Sequence, residues 1–497
     1  MQNTLQYIKE NYGIDIDFHE IGYDVPEAYQ LISSGDTDAV FQLEQGGMKK
    51  FMKDLQPNCL EDLIAGISLY RPGPMDFIPK YIQNKHHPEG IVYDTPYLEP
   101  ILKNSYGVIV YQEQVMQIFQ HLAGYSLGQA DLVRRAMAKK HLDELMAQKN
   151  KFIYGDIENG GNITGCVSKG IPADVAAKIF SDMESFASYA FNKSHAAAYA
   201  VVAYRTAYLK YFYPKEFLAG ILNDRLDKIE EISKYIAYMK ERGIEVLQPD
   251  INRSKTIFAV EGKGLRIGLG ALRGIGIEAI ESVISERDEH GEFADFADFN
   301  VRCAKYINKR IVESLIYAGA FDCFGYPRSV FIAVYEDVLA RVTAMEKQKS
   351  GNQISLFGNI IEEEKVVIDY PVIPEYDQAE KLSLEKSVLG VYVSGHPFEK
   401  YAPYFKDRTF NCSMLQYEED EETGEKKYTE IESGQQATMG GMISAYKKLQ
   451  TKSGSSMAFV TVEDMYGTVE CVCFPKTYDK IRGFLQADKV VSLSGKI

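Results

Sequence analysis

The spacing of apolar residues changes once along the chain, and that change limits the fold more than composition does. From about Ala437 apolar and polar residues alternate, through Met439–Tyr446, Ala458–Asp464, Val469–Phe474 and Val490–Ile497, with a short helix expected after the third run. A period of two is that of a half-buried strand. Ahead of it, residues 1 to about 225 read as mainly helical with turns at Gly and Pro, and the Ala-, Tyr- and Phe-rich run around 172–222 predicts buried helices. A helix and short strands are expected over 226–260, and two helical hairpins over 265–325. The composition turns polar and weakly patterned over about 341–385, as in a linker. At 497 residues the chain has room for roughly three domains. The expected class is multidomain α+β.

An apolar fraction of 45% with 25% charged residues is that of a globular chain, which excludes wholesale disorder and fibrous folds. The net charge is −15, from 55 Lys and Arg against 70 Asp and Glu, and taken alone it argues against a nucleic-acid partner. The average hides a local patch: Asp131–Lys151 carries six basic residues and three acids. Seven scattered cysteines show neither zinc-site nor disulfide-framework spacing, so a reduced cytosol is the expected compartment. No apolar run reaches the ~18 residues that span a bilayer, and no membrane partner is expected.

Several short segments carry candidate chemistry. In Ile267–Ile280, Gly274 and Gly276 sit in a tight turn that opens a helix over 277–286. Such glycines let a backbone approach a phosphate, and the free N–H groups of the helix start can bind it. The same pattern also suits an ordinary packed helix pair. In Arg134-Arg135-Ala-Met-Ala-Lys139-Lys140, Arg135 and Lys139 lie four apart on one helix face, ready for a triphosphate, a DNA backbone or simply water. Asn192, Lys193, Ser194 and His195 interrupt an apolar run, and burying such groups requires partners. Asp15 and Asp17 imitate a D-x-D metal pair and would share one face of a strand. Nothing nearby completes a site, so the likeness is read as accidental, and a nuclease built on Asp15, Asp17 and His19 is the reading to exclude. Gln353, Ile354, Ser355, Leu356 and Phe357 place two large apolar residues in the polar segment, to dock on another protein or on their own domain.

Six stretches, in order and spanning nearly the whole chain, make a set: Ala39–Met48, Tyr70-Arg-Pro-Gly-Pro74, Gly107–Met116, Arg134-Arg-Ala-Met137, Phe191-Asn-Lys-Ser-His195 and Leu389–Pro397. As a set the chain resembles the alpha subunits of bacterial DNA polymerase III, the family C replicases, in their exonuclease-lacking branch. The resemblance implies helical fingers over 1–225 with a palm-edge remnant at the start, and a tandem helix-hairpin-helix DNA-binding region over 226–340. It implies a linker with a clamp-binding motif over 341–385, a connecting segment over 386–436 and an OB-fold β-barrel, truncated, over 437–497.

It also implies roles. Arg71, Arg134, Arg135, Lys139, Lys140, Lys193 and His195 become candidates for the incoming triphosphate, with Arg134 and Arg135 the first choice. Gly274, Gly276, Lys309 and Arg310 become candidates for DNA, and Gln353–Phe357 for the sliding clamp. The implied partners are primer-template DNA, dNTP, the clamp and other replicase subunits. The family's catalytic aspartates lie in a palm motif that this sequence does not match. No catalytic or metal residue is therefore assigned, Mg2+ belongs to the full-length enzyme, and the chain alone is expected not to polymerise. A non-catalytic DNA- and clamp-binding protein built from the same modules is the alternative.

Overall fold

The computed structural model describes residues 1–497 apart from 140–141, 158–160, 188–190, 227, 351–365, 416, 420–425, 429–430 and 452–453. The chain divides into two compact units. Gly13–Tyr213 with Tyr417–Glu425 makes one, and Met1–Tyr12, Pro214–Gln416 and Lys426–Ile497 make the other.

The first of these units is helical, as its periodicity predicts, and is built on two cores. In one, the helix Lys193–Phe212 packs against Leu60–Leu69 and Pro26–Ser34. Its buried Ala196, Ala200, Ala203 and Ala207 recur at helical spacing, so a stripe of methyl groups lets the partner helices approach closely. In the other, Gln112–Ala123, Leu127–Lys139, Leu142–Tyr154 and Ala173–Ala187 surround Phe119, Phe152 and Phe180, whose rings meet at 5.2–6.1 Å. A single bridge stitches the approaches together: Gln112 N–H donates to the Phe191 carbonyl at 3.0 Å and Phe191 N–H to that of Val110 at 3.3 Å.

Asp15 and Asp17 lie ahead of a helix, in no regular element. The Asp17 carboxylate accepts the His19 N–H at 2.7 Å and caps the short helix Phe18–Ile21, a local use that Asp favours over strand pairing.

In the other unit a three-stranded sheet places Gly264–Arg266 between Glu245–Leu247, parallel to it, and Ala259–Glu261, antiparallel. The helices Ile277–His290, Phe296–Cys303 and Lys309–Tyr317 follow, over the region read as two hairpins. The next helix, Arg328–Ser350, runs on past residue 341, into the segment whose polar composition reads as a linker. Its buried Val330, Phe331, Tyr335, Val338 and Val342 recur at helical spacing, with exposed residues between them, as in a helix packed along one face.

The terminal strands are Gln436–Gln450, Ser456–Glu463, Thr468–Cys473 and Val490–Lys496, close to the runs read from alternation, with the helix Pro475–Ile481 after the third. They form an antiparallel sheet in which Gln436–Gln450 pairs with Val490–Lys496 through its first half and with Ser456–Glu463 through its second. A register shift between Ile443 and Ala445 bends the strand there, which curls the sheet. Gly440 allows the bend to close: a Cβ at that position would sit 2.1 Å from the Phe405 ring. Among the described residues no helix is long and apolar enough to cross a membrane.

Candidate nucleotide and nucleic-acid sites

The start of the Lys193–Phe212 helix collects three of the candidates for the triphosphate. Asn192 caps it, accepting the His195 N–H at 2.9 Å, and the Lys193 N–H donates to both Glu113 oxygens at 3.2 Å. The Lys193 ammonium lies 2.9 Å from the Glu61 carboxylate and 5.2 Å from the centre of the Tyr111 ring. Arg71 reaches the same place from the turn Tyr70–Pro74, where Gly73 takes φ +93°, a conformation that side chains resist. Its guanidinium covers the Phe191 ring at 4.0 Å, and burial lowers its pKa. Five donors on a planar group suit phosphate oxygens bidentately. His195 stands edge-on to Phe191 at 5.4 Å and 4.5 Å from Tyr199, whose ring also meets Phe41 at 5.1 Å. Arg71, Lys193 and His195 thus share one surface with an aromatic row.

Arg134 and Arg135 are held elsewhere. They project from Leu127–Lys139, in the core around Phe119, and both guanidiniums close on Asp131, at 2.7 and 2.8 Å. Those bonds, Arg134's first, hold the Asp131 carboxyl below its usual range. Lys139 ends that helix, and Lys140 lies outside the described residues. Glu61, Glu113, Tyr111, Tyr199 and Phe41 were not singled out from the sequence. The last four lie in or next to the quoted stretches, but only the fold shows that they surround Lys193 and His195.

The four DNA candidates also come together. Gly276 begins the helix Ile277–His290 with no side-chain cap, and the space beside it is open. Gly274 takes φ +74°, and a Cβ on it would strike the Arg310 guanidinium at 2.4 Å. Arg310 therefore lies flat against the glycine turn. It belongs to a second helix start, Lys309–Tyr317, capped by Asn308 at 3.0 Å from the Ile311 N–H. Lys309 is exposed and paired with Glu336, which raises the ammonium's pKa. Arg310 is exposed and carries no ion pair among the described residues. Two helix starts and a guanidinium make a surface fit for a phosphate backbone and offer nothing that reads bases.

On the terminal sheet, Ala458, Val460 and Val462 face inward while register aligns Lys447, Phe459 and Val472 across the opposite face. Alternation located these strands, but it could not align residues from three of them. Gln353–Phe357 lie outside the described residues. Among the described residues no three His, Cys, Asp or Glu side chains group to hold a metal ion, so no step below runs through one.

Comparison with known proteins finds three matches along the chain. Residues 1–160 match the bacterial DNA polymerase III alpha subunit finger domain, 243–331 a helix-hairpin-helix motif and 437–497 an OB-fold nucleic acid binding domain. The DNA polymerase III subunit alpha of Aquifex aeolicus is 38% identical over 497 residues, which is 99% of this chain and 39% of that protein. That of Thermus aquaticus is 38% identical over 98% of the chain and 38% of its own length. The one from Halalkalibacterium halodurans is 35% identical over 100% and 42%. Over nearly its whole length the chain is similar to DNA polymerase III alpha subunits. It spans about two fifths of the length of these relatives. It is largely helical, with matches to a helix-hairpin-helix motif and an OB fold that follow the finger match in sequence.

Proposed function

We propose that the chain is the nucleotide- and DNA-positioning part of a replicative DNA-directed DNA polymerase, a nucleotidyltransferase acting in the cytoplasm. Its substrates on this reading are dNTP and primer-template DNA, and its partners are the sliding clamp, through Gln353–Phe357, and other replicase subunits. The observation that carries the reading is the convergence of Arg71, distant in sequence, with Lys193 and His195 on one aromatic-lined surface. Arg71 would fork onto phosphate oxygens, Lys193 would supply a point charge, and His195 would donate to a further oxygen. Charge accumulating on the departing pyrophosphate would be offset by the same groups. The helix starts at Gly274 and Lys309 would hold the duplex by its backbone, and the Lys447–Phe459–Val472 face would lie against unpaired bases. Mg2+ is the metal this reading calls for, and no residue of the chain is assigned to it.

The test is titration of the 497-residue chain, bound to primer-template DNA, with a fluorescent dNTP. Arg71→Ala is expected to weaken nucleotide binding at least tenfold, the scale of a charge-assisted hydrogen bond of about 1.5–3 kcal/mol. Equal affinity in the variant refutes the assignment.

A further inference from the structure

Lys193 is engaged by two carboxylates of the protein itself. Its ammonium contacts both Glu61 oxygens, at 2.9 and 3.1 Å, while Glu113 takes the amide of the same residue. The Lys193 and Glu61 side chains are 34% and 42% exposed, so their pair opens to solvent on one side. Two carboxylates therefore occupy what a phosphate would seek: the cation and the N-terminal end of the helix behind it. Glu61 also has an alternative place to rest. It lies in the first turn of Leu60–Leu69, whose N-cap Cys59 makes no side-chain cap bond, and a carboxylate is stabilised at such a helix start.

We propose that Glu61 is an internal competitor for the triphosphate: its carboxylate pairs with the Lys193 ammonium and must leave before Lys193 reaches a phosphate oxygen. This deepens the reading above and rests on Lys193 being a triphosphate contact. The competitor tunes selectivity for charge. A ligand with one phosphate displaces a half-exposed ion pair poorly, whereas a triphosphate brings enough charge to replace it.

The experiment is a four-way cycle on the 497-residue chain bound to primer-template DNA: wild type, Glu61→Gln, Lys193→Met and the double variant, each titrated with dATP and with dAMP. Glu61→Gln is expected to tighten dATP about three- to fivefold, the scale of a partly exposed ion pair. A gain in affinity is a result that structural damage does not produce. Lys193→Met is expected to weaken dATP, and in its background Glu61→Gln should change affinity less than twofold. The dATP to dAMP preference should narrow in Glu61→Gln. If Lys193→Met weakens dATP while Glu61→Gln leaves it unchanged or weaker, the competitor is refuted and the nucleotide site stands. If Lys193→Met has no effect, the site assignment falls and the competitor with it. Additive effects of the two substitutions mean plain repulsion between Glu61 and phosphate, which also overturns the proposal. Should wild-type binding be too weak to detect, binding that emerges in Glu61→Gln supports the competitor, and its absence there rejects it.

Discussion

Replacing Glu385 should loosen the helix-hairpin-helix part of the molecule more than any surface change, because it is the centre of a buried charge network. Arg328 is 1% exposed and Glu385 0%. The Arg328 guanidinium donates to Glu385 Oε1 and to the Tyr317 carbonyl, both at 3.0 Å, and to Asp322 at 2.7 and 2.9 Å. Glu385 Oε2 accepts the Ser394 N–H at 3.1 Å and its hydroxyl at 2.9 Å, and Oε1 accepts the Gln248 amide at 3.2 Å. Glu385→Ala removes half the countercharge of a buried guanidinium and strands three further donors. Breaking a buried pair from one side costs roughly 3–5 kcal/mol. Asp322 still holds Arg328, so about 3 kcal/mol is expected. Global unfolding of a chain with two units is a poor gauge of this, since two-state behaviour is not assured. Native-state hydrogen exchange reads it locally: amides of Lys309–Tyr317 and Arg328–Ser350 should exchange on the order of a hundredfold faster. The double substitution Arg328→Met with Glu385→Leu should recover most of the loss, because an apolar pair of similar volume can replace a buried ion pair. A double variant as labile as Glu385→Ala, or a single variant that exchanges like wild type, would refute the electrostatic account.

Other outcomes follow from single contacts. Arg310→Ala should weaken duplex DNA binding alike across sequences and lower the slope of log affinity against log salt by about 1, read by fluorescence anisotropy; an unchanged slope removes Arg310 from the interface. Leu356→Ala with Phe357→Ala should abolish capture of the chain by a sliding clamp in surface plasmon resonance, and undiminished capture rejects the motif. Burial, with Lys386 and Lys240 nearby, lowers the His396 pKa to about 4. The unfolded imidazole protonates near 6.5, so its contribution to stability is whole above that pH and declines as pH falls from about 6.5 to 4. Urea melts of wild type and His396→Gln at pH 7 and pH 5 should show the smaller decline in the variant; equal declines exclude His396 as a source.

How far the sequence revealed this molecule depended on whether the deciding signal was local. Alternation placed the terminal strands because each of them carries its own period. It missed that Gln436–Gln450 serves two partners, since a bulge and the close approach of Gly440 to Phe405 depend on residues far along the chain. The Arg134–Arg135 pair drew attention by its local density of charge, yet Asp131, three and four residues earlier, absorbs both guanidiniums. Lys193 and Arg71 ranked behind that pair as phosphate candidates, and the fold makes them neighbours through Phe191 and Tyr111. Ser394 could be read only as one letter in Leu389–Pro397, whereas in the fold it clasps Glu385. At Asp17 the letters of a motif are present, and a helix cap claims the carboxylate.

On the proposed reading, the same pairing would let an acidic chain handle polyanions. Several of the basic residues assigned to phosphate sit beside a carboxylate: Lys193 by Glu61, Arg134 and Arg135 by Asp131, Lys309 by Glu336. A net charge of −15 is thus compatible with local cations, because each is neutralised at short range and contributes little to the distant field. On the proposed reading, binding exchanges one anion for another and releases few bulk counterions, so its salt dependence should be shallow wherever a carboxylate is displaced. Arg310 is the exception. With no ion pair among the described residues, it should supply a full share of the salt slope. A contribution from Lys309 equal to that of Arg310 would therefore contradict the idea that internal carboxylates stand in for phosphate.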